Sequence, residues 1–242
     1  MESKLISIGE AAKLLGVSIQ TLRRWDESGK LSSFRPTQIS HRYYRREDIE
    51  LFLNDLIIIG KNWAKNKNAT EPLDIYYCKT RDVFEGRLVR LQNELAKVAG
   101  LENIFPLIVS AAGEIGNNSF DHNLGIWPDV PGIFFGYDLA RKKLILADRG
   151  QGILQSLKRV RPNLQTHEEA LLVAFSEVVS GRAPEARGNG LKFVRKVVTE
   201  NPLSICFQSG SAELVLKQNQ KKLKITTALD TFHGCIAIIY YS

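Results

Sequence analysis

The chain has 242 residues, a formal net charge of +7, 44% hydrophobic residues, three cysteines and one methionine. That length fits one large domain or a small domain joined to a medium one, and an ordinary apolar fraction excludes wholesale disorder. No apolar run approaches the roughly 18 residues of a membrane span. Met1-Glu2-Ser3-Lys4 is not followed by an apolar core, so neither a secretory signal nor a membrane partner is expected. Cys78, Cys206 and Cys235 are far apart and form no CxxC pair. That disfavours disulfide scaffolding and structural zinc and leads us to expect a reducing, cytoplasmic setting.

The positive charge is uneven. Residues 1–67 carry twelve Lys/Arg against eight Asp/Glu, and residues 18–46 carry seven bases against two acids. On charge alone, a nucleic-acid footprint and a solvated basic face fit equally. The pattern along the chain is more specific. Ser7 can cap a helix whose apolar positions are Ile8, Ala11, Ala12, Leu14 and Leu15. Gly16 ends it, and Ser18 stands at the cap position of a second helix, Ile19 to Trp25, closed by Gly29. Two short helices joined by a tight glycine turn make a helix-turn-helix. In the second helix Leu22 and Trp25 face inward, leaving Gln20, Thr21, Arg23 and Arg24 outward, where Arg and Gln can fork onto base edges in a major groove. Residues 31–45 read as a β-ribbon that sets Arg35, Arg42 and Arg45 against phosphates, and Arg46 opens a helix through Leu56.

The order Val17-Ser18, Thr21-Leu22-Arg23-Arg24-Trp25-Asp26, Gly29-Lys30-Leu31, His41-Arg42-Tyr43, Asp48-Ile49 resembles the MerR/excisionase-type winged helix-turn-helix over roughly residues 5–54. The resemblance implies binding of double-stranded DNA through Ser18, Gln20, Thr21, Arg23 and Arg24 of the helix and Arg35, Arg42, Tyr43 and Arg45 of the wing. One departure is Thr37-Gln38-Ile39-Ser40, where related modules often carry glycines.

Residues 55–72 change character. Leu56-Ile57-Ile58-Ile59 precedes an alternating Lys/Asn tract ending at Pro72, which reads as a linker or frayed helix end, the apolar run being an alternative dimer contact. The expected division is therefore 1–54, a linker over 55–72, and a second domain over 73–242. In that domain, helices over about 81–99 and 102–123 precede strands at 132–138 and 143–148, and helices near 168–179 and 190–200 precede strands at 203–208, 212–217, 222–229 and 235–241. Helices on one side of a mostly antiparallel sheet make an α+β chain with a two-layer α/β sandwich.

Three constellations there carry chemistry. Glu114, Asn118, Asp121 and His122 stand at i, i+4, i+7 and i+8 on one helical face. A carboxylate there can orient water and an Asn oxygen can hold a hard cation, although an exposed polar stripe is the simpler account of that helix alone. Asp148-Arg149-Gly150-Gln151-Gly152-Ile153 follows an apolar strand; its acid can accept from an exocyclic amine, and its glycines allow close backbone approach. Arg187-Gly188-Asn189-Gly190-Leu191 runs into a helix start, where N–H groups and the dipole favour an anion.

In this order, with thirty and then forty residues between the motifs, the three resemble the N, G1 and G2 boxes of the GHKL ATPases. The resemblance covers about 75–242 and implies a Bergerat-type sandwich binding ATP and Mg²⁺. It makes Asn118 the magnesium ligand and Glu114 the general base of hydrolysis. Asp121, Asp148, Gly150, Gly152, Ile153, Arg187, Gly188, Gly190 and Leu191 become nucleotide contacts. The segment before the third motif carries Ala183, Pro184 and Ala186, and His233-Gly234-Cys235 stands where Gly-Thr is common, which removes a hydroxyl from the nucleotide. The combined expectation is an ATP-responsive DNA-binding regulator, with a homodimer and a protein partner open. An anti-sigma-like serine kinase that uses the winged helix for targeting is the alternative.

Overall fold

In a computed structural model, residues 5–15, 17–29, 31–35, 37, 41–53, 55–68, 70–177 and 189–242 are described. The chain divides into two compact units between Ile59 and Gly60.

The first unit contains β1 (Leu5–Ser7), α1 (Ile8–Leu15), α2 (Ile19–Glu27), β2 (Tyr43–Arg45) and α3 (Arg46–Leu53). Ser7 and Glu10 cap α1 reciprocally: the Glu10 N–H donates to Ser7 Oγ at 3.2 Å, and the Ser7 N–H donates to Glu10 Oε2 at 2.9 Å. Ser18 caps α2 by accepting the Thr21 N–H at 3.1 Å. Between the helices, Ala11, Ala12, Leu22, Leu31, Tyr44 and Ile49 form a small buried core, and the Trp25 and Phe52 rings lie 5.0 Å apart beside it. Of the expected 31–45 ribbon, residues 36 and 38–40 lie outside the described residues; among the rest Phe34 and Tyr43 form an antiparallel bridge, and β2 also pairs antiparallel with β1, with Ile6 opposite Tyr44. Tyr44 of β2 anchors that pairing: it is fully buried, and its hydroxyl donates to the Leu22 carbonyl at 3.2 Å. Helix α3 also stops at Leu53 rather than Leu56.

Helix α4 (Leu56–Lys65) occupies most of the stretch read as a linker, and the boundary between the units falls inside it. The second unit has a seven-stranded sheet of β3 (Tyr77–Cys78), β4 (Ile133–Asp138), β5 (Lys143–Asp148), β6 (Leu203–Ser209), β7 (Ala212–Lys217), β8 (Lys224–Thr227) and β9 (Cys235–Tyr241). Its order is β3-β4-β5-β9-β6-β7-β8, and every neighbouring pair is antiparallel. Helices α5 (Arg81–Leu95), α6 (Phe105–Asn123), α8 (His167–Ser176) and α9 (Gly190–Glu200) bring Phe84, Ile108, Phe175 and Val194 against Phe135, Leu144, Phe207 and Ile239 in one continuous core. Gly116 permits the α5–α6 approach, since a Cβ there would stand 2.1 Å from Phe84 Cζ. Phe134 and Ile145 are buried outside that core; Gly60 of α4 lies against both, and the Trp63 ring is 6.2 Å from that of Phe134. A short α7 (Gly152–Lys158) follows β5. No helix among the described residues is long and apolar enough to cross a membrane, and all three cysteines are free thiols.

Candidate nucleotide pocket and nucleic-acid interface

The polar face of α6 turns toward the turn that follows β5. Glu114, Asn118, Asp121 and His122 line a cavity of about 280 Å³ together with Asp148, Gly152, Ile153, Gly190 and Leu191. The expected residues from three distant parts of the second unit thus share one hollow. Gly150 stands behind it, and Arg187 and Gly188 lie outside the described residues.

Asp148 ends β5 and is 2% exposed. Burial pushes its carboxyl above the usual range, against the Ser119 hydroxyl, which donates to Oδ2 at 2.7 Å, and the Gly150 N–H, which donates to Oδ1 at 2.8 Å. A carboxylate oxygen can accept more than one hydrogen bond, so these donors do not exhaust its capacity. Around the acid the backbone is packed close. Gly234, at φ +85°, would place a Cβ 2.2 Å from the Asp148 carbonyl oxygen, and Gly152, at φ +74°, lies under Ser209. The Ser209 hydroxyl accepts the Ile153 N–H at 2.9 Å and donates to the Gly234 carbonyl at 3.2 Å. Cys235 lines the cavity, with its thiol pushed well up by burial. Ser119 supplies a hydroxyl beside Asp148.

Three further α6 and α5 residues define the walls. The buried Asn123 donates to the Ser119 carbonyl at 2.8 Å and accepts the Gln151 N–H at 2.9 Å, stitching α6 to the glycine turn; a Cβ on Gly150 would collide with its amide. Asn117 lines the cavity with a buried Oδ1 that has no hydrogen-bond partner among the described residues, an acceptor open to a bound molecule or water. Arg81, at the start of α5, pairs with Asp121 across the same wall. None of these three carries a motif of its own; only their spacing from Asn118 or their place at a helix start could have flagged them.

At the far end, Gly190 begins α9. A Cβ there would meet Glu114 Oε2 at 2.5 Å and Asn118 Nδ2 at 3.2 Å, so the helix start abuts the α6 carboxylate and amide directly. Asn189, which leads into α9, makes no side-chain cap. A carboxylate, an amide and a helix N-terminus are the donor set that a phosphate with a hard cation requires, and they fit such a ligand.

In the first unit, Gln20, Arg23 and Arg24 are exposed on α2, as are Ser18 before it and Arg35 and Arg45 beyond it. Ser18 and Thr21 share their hydroxyls at 2.9 Å, and Arg24 reaches Thr21 Oγ1 at 3.5 Å. Arg42 and Tyr43 are half-buried. The Arg42 guanidinium is held by Asp26 at 2.8 Å and Glu27 at 3.5 Å, and Arg35 reaches Asp26 at 3.3 Å. Part of the basic charge expected to face phosphates is therefore neutralised within the unit, a role for Asp26 that charge counting does not show.

The chain is a helix-turn-helix unit followed in sequence by an antiparallel α/β sandwich with a polar, glycine-bordered pocket. Residues 7–44 match the MerR family regulatory protein profile, so the first unit is a MerR-type helix-turn-helix domain. The chain is similar, over 57 residues at 40% identity, to part of a type II methyltransferase, M.Eco47II of Escherichia coli, covering 24% of this chain and 14% of that protein. It is also similar to the transcriptional repressor DcmR of Methylorubrum extorquens, at 45% identity over 53 residues, 22% of this chain and 20% of that protein. The chain thus spans a fifth or less of these relatives. Among solved structures, the ATPase region of Saccharomyces cerevisiae topoisomerase II aligns with a TM-score of 0.38 and 15% identity, over 56% of this chain and 37% of that one.

Proposed function

We propose that the protein is a DNA-binding regulator whose second unit binds Mg-ATP and passes that state to DNA affinity. The observation that carries this reading is the meeting of Glu114 and Asn118 with Gly190, in the cavity whose other end is closed by buried Asp148. Asp148 accepts the exocyclic amine of adenine, and Gly152 puts no side chain into the cavity beside it. Asn118 holds a divalent cation, which when bound neutralises phosphate charge. The start of α9 faces the phosphates with its N–H groups and dipole. Glu114 accepts a proton from a water aimed at the terminal phosphate, with its carboxylate against Gly190 as the positioning contact. In the first unit, Gln20, Arg23 and Arg24 of α2 read base edges while Arg45 meets phosphate.

The test is a band-shift series with no nucleotide, ADP and a non-hydrolysable ATP analogue, alongside free-phosphate release. DNA affinity that differs between these states supports the reading, and identical affinity in all three rejects nucleotide response. Label moving to a serine of a partner protein in place of free phosphate would favour a kinase.

A further inference from the structure

Arg149 lies between Asp148 and Gly150 in the glycine turn, yet its side chain points away from the cavity lining and is 8% exposed. Its Nη1 donates to the Trp63 carbonyl at 2.8 Å and the Ala64 carbonyl at 2.9 Å. Its Nε and Nη2 engage the Asp129 carboxylate, and its guanidinium carbon stands 5.9 Å from the Trp63 ring centroid. The two carbonyls belong to the last turn of α4, where no helical N–H remains to satisfy them, and a cation at that end also meets the helix dipole favourably. A second contact ties the same helix to the same motif. Gly60 sits on Ile145 of β5, the strand that ends in Asp148, so close that a Cβ would lie 2.7 Å from its Cδ1. The carboxyl-terminal half of α4 is therefore fastened to the turn after β5, and the boundary between the two units falls within the same helix.

We infer that Arg149 is a positioning residue for regulation: it clamps α4 to the Asp148–Gly152 turn, so that nucleotide in the pocket tightens the carboxyl-terminal half of α4, the helix in which the two units meet in the chain. The inference rests on the nucleotide reading above and names the route by which that site is felt. A ligand that orders the turn orders the guanidinium between its two ends, and linkage then requires that holding α4 favours the ligand equally. Lysine at 149 keeps the charge but lacks the planar fork that serves two carbonyls and a carboxylate together.

The experiment is hydrogen exchange on the full chain with and without a non-hydrolysable Mg-ATP analogue, for the parent, Arg149→Lys and Asp129→Asn. In the parent the analogue is expected to slow exchange in 114–123, 148–157 and the 60–65 half of α4, the last by about tenfold. Arg149→Lys keeps the pocket protection and loses that of α4; Asp129→Asn, which changes a half-exposed acid and leaves the buried arginine in place, loses it in part. Protection of α4 that is unchanged in both variants overturns the inference, as does pocket protection without α4 protection in the parent. If the analogue protects neither region in the parent, the nucleotide reading itself fails and the inference falls with it. Should Arg149→Lys not fold, Asp129→Asn decides.

Discussion

The Asp26 carboxylate at the end of α2 holds the Arg42 guanidinium at 2.8 Å while also accepting the Ser33 N–H and hydroxyl, each at 2.7 Å. One acid thereby fastens the segment after α2 and the residue that leads into β2 to the second helix. Burial alone would raise its carboxyl, but the Ser33 N–H, Arg42, the Ser33 hydroxyl and Arg35 together hold it well below the usual carboxylate range.

A pKa lowered in the folded state contributes stability above the ordinary carboxylate pKa, and that stability is lost as pH falls toward the folded value. The first unit should therefore loosen below about pH 4, read as faster hydrogen exchange of α2 amides. Asp26→Asn should remove this acid dependence and lower stability at neutral pH by about 1–3 kcal/mol. An α2 acid profile identical in parent and variant would count against the network.

DNA contacts separate by the same geometry. Arg45→Ala should reduce the salt slope of DNA binding by about one and leave the melting temperature unchanged. Arg42→Ala should instead lower the melting temperature, because it strips Asp26 of its nearest cation. Arg23→Ala should cost about 1–3 kcal/mol on a specific site and much less on random DNA. Band shifts at three salt concentrations with paired thermal melts distinguish the three outcomes.

In the pocket, Asn118→Ala should lose the magnesium dependence of ATP binding. Glu114→Gln should retain ATP binding while phosphate release drops about 10²- to 10⁴-fold. Titration calorimetry with and without magnesium, followed by a turnover assay, checks both. Undiminished turnover in Glu114→Gln would remove Glu114 as the base.

Asp148 carries the opposite pH signature to Asp26. Its raised pKa means that it gains a proton at a higher pH than an ordinary carboxyl, and protonation converts one acceptor oxygen into a donor. ATP affinity should fall on mild acidification, before other carboxylates titrate. Ser119→Ala removes a hydrogen bond to the charged form and should move the midpoint to higher pH, whereas Asp148→Asn should flatten the profile and weaken the preference for adenine over guanine. Nucleotide affinities measured across a pH series in the three proteins provide the check.

Two glycine-to-alanine changes should act with opposite signs. At Gly234, φ is +85° and the new methyl would sit 2.2 Å from backbone, so Gly234→Ala should lose more than about 1–3 kcal/mol. At Gly86, inside α5, a Cβ meets nothing within 4 Å, so Gly86→Ala should stabilise by about 0.5–1 kcal/mol. Thermal melts of both proteins decide.

Much of this architecture was legible where periodicity is local. Leu22 buried on α2, the polar stripe of α6 and the apolar runs of β5 and β9 each announce their element within a few residues, and glycine spacing located the turn after β5. What escaped reading depends on partners distant in sequence. Trp63 and Gly60 look like linker residues until Phe134 and Ile145 are placed beneath them. Ile6 gives no strand signal until Tyr44 is set opposite. Asn123 looks like one more polar residue of the stripe, yet it is buried because two backbone groups satisfy its amide. Arg42 carries the charge expected of a wing residue, but Asp26, sixteen residues earlier, determines where that charge goes.

The strand order places β9, made last of the seven, between β5 and β6. During synthesis the MerR-type unit has all its pairing partners early, since β1 and β2 lie within the first 45 residues. The second unit cannot close until residues 235–241 join strands that have already waited through the making of β7 and β8. Until then β5 and β6 present open edges, and the acid at the end of β5 lacks the Gly234 backbone that packs against it. A nascent chain would therefore hold a finished helix-turn-helix while the sandwich and its pocket were still unformed.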